Sequence, residues 1–114
     1  MVLLNEGLNK LATEFASLIT QGQWGTGTTL ETVGDTGLET PLASTLLNVS
    51  AVSSNNSCQF THTIPSTTAN GVALTEYELR YANGDSLNRV VGGAVNKTAS
   101  FDVITISTIN FVRS

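Results

Sequence analysis

The sequence predicts a mainly β protein: an antiparallel β-sandwich of jelly-roll or immunoglobulin-like type, preceded by one N-terminal α-helix. Three observations predict it. Residues 73–112 hold alternating apolar runs around an Asn83-Gly84 turn and close on a stretch rich in Val, Ile, Thr and Phe. Residues 45–64 carry the same two-residue alternation, and only residues 2–20 repeat at helical spacing. At 114 residues the chain reads as one domain, 1–114. Its expected divisions are a helical arm at 2–20, a Gly/Thr-rich loop at 21–45 and the sandwich at 46–112.

The helix rests on Leu4, Leu8, Leu11, Phe15, Leu18 and Ile19, which recur every three or four residues with polar residues between them. Gly7 weakens it, and the Gly-rich stretch ends it near Thr20. That apolar stripe must be buried, on this chain's own sheet or on a neighbouring subunit. The run Trp24-Gly25-Thr26-Gly27-Thr28-Thr29 then has no period, and Gly34 and Gly37 leave only a weak helical turn near Glu31–Leu38. So long a loop in a small domain is either functional or pinned by contacts. Trp24, the single Trp, reads first as a plug over one end of the core and second as an anchor in a subunit contact.

Five strands are expected after the loop. Thr45–Val52 is the first, and Ser53–Ser57 a polar turn. Cys58, Phe60, His62 and Ile64 alternate with polar residues and write out the core face of the second. Tyr77, Leu79 and Tyr81 alternate with Glu76, Glu78 and Arg80 in the third. The latter three are expected on a solvated edge, with Arg80 pairing a carboxylate. Ala82–Ser86 is a hairpin connection and Leu87–Val91 a fourth strand, broken by Gly92-Gly93. Ser100–Val112 is the fifth. It places Phe101, Val103, Ile109 and Phe111 on one face and Ile104, Ile106 and Val112 on the other, as in a central or covered strand.

Composition excludes several functions. Charged residues are 12% of the chain, about half the usual share, and Ser plus Thr make up roughly a quarter. Such a neutral, hydroxyl-rich surface packs against other subunits with few charges to desolvate. The net charge is −4, and the five cations Lys10, Arg80, Arg89, Lys97 and Arg113 form no basic run. No nucleic acid is expected as a partner. No apolar run is long enough to cross a membrane, so none is expected as a partner either. Glu6, Lys10 and Glu14 interrupt what would be a signal peptide's core, so synthesis in a cytoplasm is expected.

Little in the chain suggests catalysis. Cys58 is the only cysteine, and the only His, His62, lies too far along the same strand to activate it. Glu76 and Glu78 resemble an acid–base pair only by spacing. Asp102 with Glu39 or Asp35 falls short of the oxygens a Ca²⁺ site needs. No metal or cofactor is expected, and the chain reads as non-enzymatic. Asn48, Asn55 and Asn96 head Asn-x-Ser/Thr triplets of the kind chance supplies in so polar a chain.

Two groups of residues carry a family resemblance. One is Gly25-Thr26-Gly27-Thr28-Thr29 with Asp35-Thr36-Gly37-Leu38. The other is Leu74-Thr75-Glu76 with Leu79, Asn83-Gly84, Leu87-Asn88-Arg89-Val90 and Lys97-Thr98. Together they span about two thirds of the chain. In this order the chain resembles small structural proteins and tail-fibre modules of tailed bacteriophages, although Tyr77-Glu78 stands where relatives often have small or apolar residues. The resemblance implies a β-sandwich that assembles as a symmetric oligomer, with a trimer expected, and no catalysis.

A Met-started chain of this length suits a protein that decorates or cements a capsid, bound to itself and to the major capsid protein or another virion protein. A tail, collar, baseplate or fibre component is the alternative. A carbohydrate-binding β-sandwich module is a second alternative, with Trp24, Tyr77 and Tyr81 as stacking faces. Expected subunit contacts are Leu4, Leu8, Leu11, Phe15 and Trp24, because an amphipathic arm beside a Gly/Thr loop is least able to bury itself.

Overall fold

A computed structural model describes residues 2–113. Helix α1 (Asn5–Leu18) runs without a loop into strand β1 (Ile19–Gly25). A long loop, 26–40, and a 3-10 turn at Ala43–Thr45 lead to β2 (Leu47–Asn48) and β3 (Ser50–Ser54). Then follow β4 (Ser57–Ile64), β5 (Ala73–Tyr81), β6 (Val90–Asn96) and β7 (Val103–Asn110). They form two antiparallel sheets, ordered β2-β1-β5-β6 and β3-β4-β7, consistent with the expected β-sandwich.

Strand β4 follows its sequence pattern closely. Cys58, Phe60, His62 and Ile64 are buried, and the residues between them are not. Asn55 turns the β3–β4 hairpin at φ 52, a backbone conformation that Asn tolerates better than most residues. The core gathers Ile19, Cys58, Phe60, Tyr77 and Leu79. Each large apolar side chain buried there contributes about 1.5–3 kcal/mol. Phe15 joins from α1, edge-on to Phe60, Tyr81 and Phe111 at ring centroids of 6.2, 6.4 and 5.6 Å. The helix therefore packs in cis, mainly on β3 and β4.

Four expectations need correction. Residues 21–25 are not loop but part of β1, which lies between β2 and β5 at the centre of its sheet. The helix accordingly stops at Leu18, where the β-branched pair Ile19-Thr20 turns to extended backbone. The single strand expected at Thr45–Val52 is two, because the backbone passes from one sheet to the other at Val49. The Val49 N–H bonds to the Thr20 carbonyl of β1 at 3.0 Å, the last bond on the β1 side before Ser50 pairs with β4.

The fourth strand starts later than expected and runs through Gly92-Gly93 rather than breaking there. Leu87 N–H bonds to Leu79 O, and the Asn88 side chain accepts from Leu79 N–H. These bonds hold residues 87–88 beside β5 outside the regular ladder. β6 then shifts register, with Val91 opposite Glu76 but Val95 opposite Leu74. Finally, β7 has the expected face alternation but lies at a sheet edge, with Ile104 and Ile106 60% and 58% exposed.

Candidate functional site

The loop expected to be functional or pinned is pinned, and Glu76 does most of it. Alternation along β5 sends Tyr77 and Leu79 into the core and Glu76 and Glu78 to the opposite face of the sheet. That face is covered: Glu76 is fully buried and Glu78 is 4% exposed. The solvated edge expected for them is therefore corrected, because loop 26–40 lies over it. Glu76 Oε2 accepts from Gly27 N–H and Thr40 N–H, both at 2.8 Å, and Oε1 from Glu39 N–H at 2.9 Å. Arg89 completes the set, its Nε donating to Glu76 Oε1 at 2.8 Å.

Arg89 ties the loop a second time. Its other nitrogens donate to Asp35 Oδ2 at 2.9 Å and to the Thr29 carbonyl at 2.8 Å. Asp35 in turn accepts from the Thr32 N–H and hydroxyl, closing a local turn. Glu39 accepts from the N–H groups of Thr28 and Thr29 and from the Thr29 hydroxyl. Burial works to raise the Glu76 pKa, but Arg89 and the three N–H donors outweigh it and hold the carboxyl below its usual range. Hydrogen bonds from Thr32 lower Asp35 in the same way, and those from Thr29 lower Glu39.

The glycines of the Gly/Thr tract make this approach possible. A Cβ on Gly25 would lie 2.5 Å from Glu76 Oε2, and one on Gly27 2.6 Å from the same atom. The sequence signal for the anchor was thus two glycines far from a Glu in an otherwise apolar alternation. Nothing local connects them.

The residues quoted for the resemblance meet here. Gly27, Thr29, Asp35, Glu76 and Arg89 form one connected set of hydrogen bonds. Lys97 stands apart and is 1% exposed, with its ammonium donating to Asn70 Oδ1 and Thr98 O and lying 5.6 Å from the Phe101 ring. Arg80 donates to the Gly84 carbonyl inside its hairpin, and Arg113 to Leu3 O and Asn5 Oδ1. Four of the five cations are thus bonded within the chain.

The five expected contact residues separate. Leu8 is 5% exposed and Phe15 is packed in the aromatic cluster, so the chain's own fold takes both. Trp24 is half-buried against Tyr77, ring centroids 5.2 Å apart. Leu4 and Leu11 remain uncovered, at 63% and 44%, and Leu18 joins them at 51%. Leu30 and Val33 also stand exposed on the pinned loop.

The interior between the sheets is unusual in its polar atoms. His62 Nε2 lies 2.9 Å from the Thr45 carbonyl, which can only accept, so Nε2 carries the proton and Nδ1 is left bare. Burial depresses the His62 pKa against the opposing effect of hydrogen bonding. Trp24 Nε1, Tyr77 OH and Thr105 Oγ1 are likewise buried without a partner. Each such group costs about 1–3 kcal/mol. A Cβ on Gly22 would lie 2.5 Å from Tyr77 OH and 2.8 Å from His62 Cδ2, so Gly22 makes the space these rings occupy. Burial also raises the Cys58 pKa, which keeps the thiol protonated and unreactive.

Among the described residues, no three His, Cys, Asp or Glu side chains are placed to hold a metal ion. Asp102 is engaged by Ser66 N–H, away from Asp35 and Glu39. No helix among the described residues is long and apolar enough to cross a membrane. No protein-family model, curated protein or solved structure matches the chain.

Proposed function

We propose that the chain is a non-enzymatic assembly module that works as a homo-oligomer and decorates or cements the capsid of a tailed bacteriophage. The observation that carries the assembly reading is the bare flank of α1. Leu11 and Leu18 lie seven residues apart on α1, so they stand on one line along the helix, and Leu4, just before its first turn, extends the exposed apolar surface. Leu8 and Ala12 are buried by the chain's own fold, and the line lies roughly 80° round from them. Other copies of the chain are the occupant of this line, and three helices meeting along it give the expected trimer.

Two further facts support assembly. The chain exposes 6725 Å², where a compact monomer of its mass exposes about 6000 Å². Its radius of gyration is 15.3 Å, against about 13 Å for a compact domain of this length. Leu30 and Val33, on a loop whose backbone is already fixed, add apolar contacts that cost little ordering on binding. The virion part of the reading rests on the sequence resemblance, and a tail, collar, baseplate or fibre component is its alternative.

Light scattering on the purified protein tests the assembly. A trimer is expected, and Leu11→Gln with Leu18→Gln should yield a monomer that melts no lower than the dissociated wild-type chain. A wild-type monomer at high micromolar concentration that also leaves phage heads undecorated sinks the proposal. Copy number in a purified virion then separates capsid, with icosahedral multiples, from tail, with small cyclic numbers.

A further inference from the structure

We propose that the open side of the sandwich is a binding site for one uncharged sugar ring. Strands β6 and β7 are edges of their respective sheets, and a cavity of about 310 Å³ opens between them. Pockets that take small ligands begin at about this size. Its floor is the aromatic pair Trp24 and Tyr77, tilted at 52° to each other. Val90 with Gly92-Gly93 forms one wall, and Thr105, Ile106 and Ser107 form the other.

The chemistry of the lining selects the ligand. No lining residue carries a charge, so an ionic ligand would lose its hydration without gaining a counter-charge. Trp24 Nε1 and Thr105 Oγ1 belong to lining residues and have no partner within the chain, whereas the Tyr77 hydroxyl lies against Gly22 and His62 behind the floor. The indole N–H can only donate, and the Thr105 hydroxyl donates or accepts. A purely apolar ligand would leave both unpaired. A sugar ring offers an apolar face to the aromatic floor and hydroxyls to the bare donors, with no charge to desolvate.

A peptide strand added to the β6 edge fits less well. The Val91 N–H is already taken by Glu31 Oε2 at 3.1 Å, and the register shift at 91–95 interrupts the edge. Strand addition needs a continuous row of free backbone groups. Gly92 and Gly93 instead keep the mouth open, since a Cβ on either would meet no atom within 4 Å. The site uses neither the α1 leucines nor the tip of the loop, so its test is independent of the assembly proposal.

Trp24 is the only tryptophan, so its emission and its single indole N–H resonance report on the floor directly. The probes are glucose, galactose, mannose, rhamnose, N-acetylglucosamine and N-acetylgalactosamine, with p-cresol, a flat aromatic ring with a single hydroxyl, as the non-sugar control. The expected result is a saturable change in both signals with at least one sugar, and none with p-cresol. Gly93→Leu, which fills the mouth without strain, should weaken binding at least tenfold. Thr105→Val should weaken it several-fold without lowering the melting temperature, and it stands in if the leucine variant fails to fold. Three results would each overturn the proposal: silence of both signals with every sugar, unchanged binding in the variant that folds, or saturable binding of p-cresol alone.

Discussion

Glu76 and Glu78 stand two residues apart on one buried face of β5, yet their surroundings drive their protonation in opposite directions. Burial opposes charge on both, but Arg89 and three backbone N–H groups reverse its effect at Glu76 and lower the pKa. Glu78 has only the Ser86 hydrogen bond and the nearby Arg80 to offset burial, with the Glu76 charge against it, and its pKa rises. A carboxylate spacing that suggests paired acid–base groups thus reflects one structural anchor beside one protonation-prone neighbour.

Removing the anchor charge should release the loop. Glu76→Gln keeps the shape but leaves Arg89 and the loop N–H groups poorly matched, and should cost about 2–4 kcal/mol in urea unfolding. A Glu-specific protease should then cut after Glu31 and Glu39 under conditions where the wild-type loop resists. Wild-type resistance in the variant would show that Glu76 does not hold the loop.

Stability should fall in two stages as the solution is acidified. The folded-state pKa of His62 lies below its ordinary 6.5, so the unfolded chain gains a proton first and stability drops from pH 6.5 downward. The depressed carboxyls of Glu76, Asp35 and Glu39 add stability above their ordinary range and lose it as pH falls through their folded values. Glu78, with its raised pKa, takes up its proton first in the folded chain, so it adds stability as pH falls toward its ordinary 4.5 and opposes the acid end of the first stage rather than the second. Unfolding midpoints from about pH 7 to about pH 5 follow the first stage. His62→Gln, which can still donate to Thr45 O, should flatten it.

Tyr77→Phe should not destabilise the protein. Its hydroxyl is buried without a partner, and burial pushes its pKa far above the ordinary value. Deleting it should raise stability by about 1 kcal/mol, as read from thermal or urea melts. A loss of more than that would mean the hydroxyl has a bonding partner in solution, such as an ordered water.

Ala69 sits at φ 61, in the left-handed region that an L side chain resists. Ala69→Gly should stabilise by about 0.5–1 kcal/mol, after allowing for the freer unfolded chain. Equal melting temperatures would mean that the 65–72 turn has relaxed out of this conformation in solution.

The legibility of the sequence varied with how local each signal was. Strand β4 is plain because Cys58, Phe60, His62 and Ile64 alternate within the strand itself. Strand β1 was hidden because Gly22, Gly25, Gln21 and Gln23 look like loop residues. Gly22 is there to admit Tyr77 and His62, and Gly25 to admit Glu76, all more than thirty residues away. Glu76 read as solvent-facing for the same reason: its partners come from residues 27, 39, 40 and 89. The helix stripe at Leu4–Ile19 was legible as a stripe, but which of its residues the chain's own sheet would cover was not. That division depends on where Phe60 and Phe111 arrive.

The passage of the backbone between sheets at Val49 has a thermodynamic consequence. Leu47–Asn48 pairs with β1 and Ser50–Ser54 with β4, and a single residue separates the two ladders. Neither sheet can peel away while the other stays intact without pulling this rigid joint apart. Heat should therefore melt the helix-covered and loop-covered parts together, with calorimetric and van 't Hoff enthalpies in agreement. The joint makes two sheets of different composition behave as one cooperative unit.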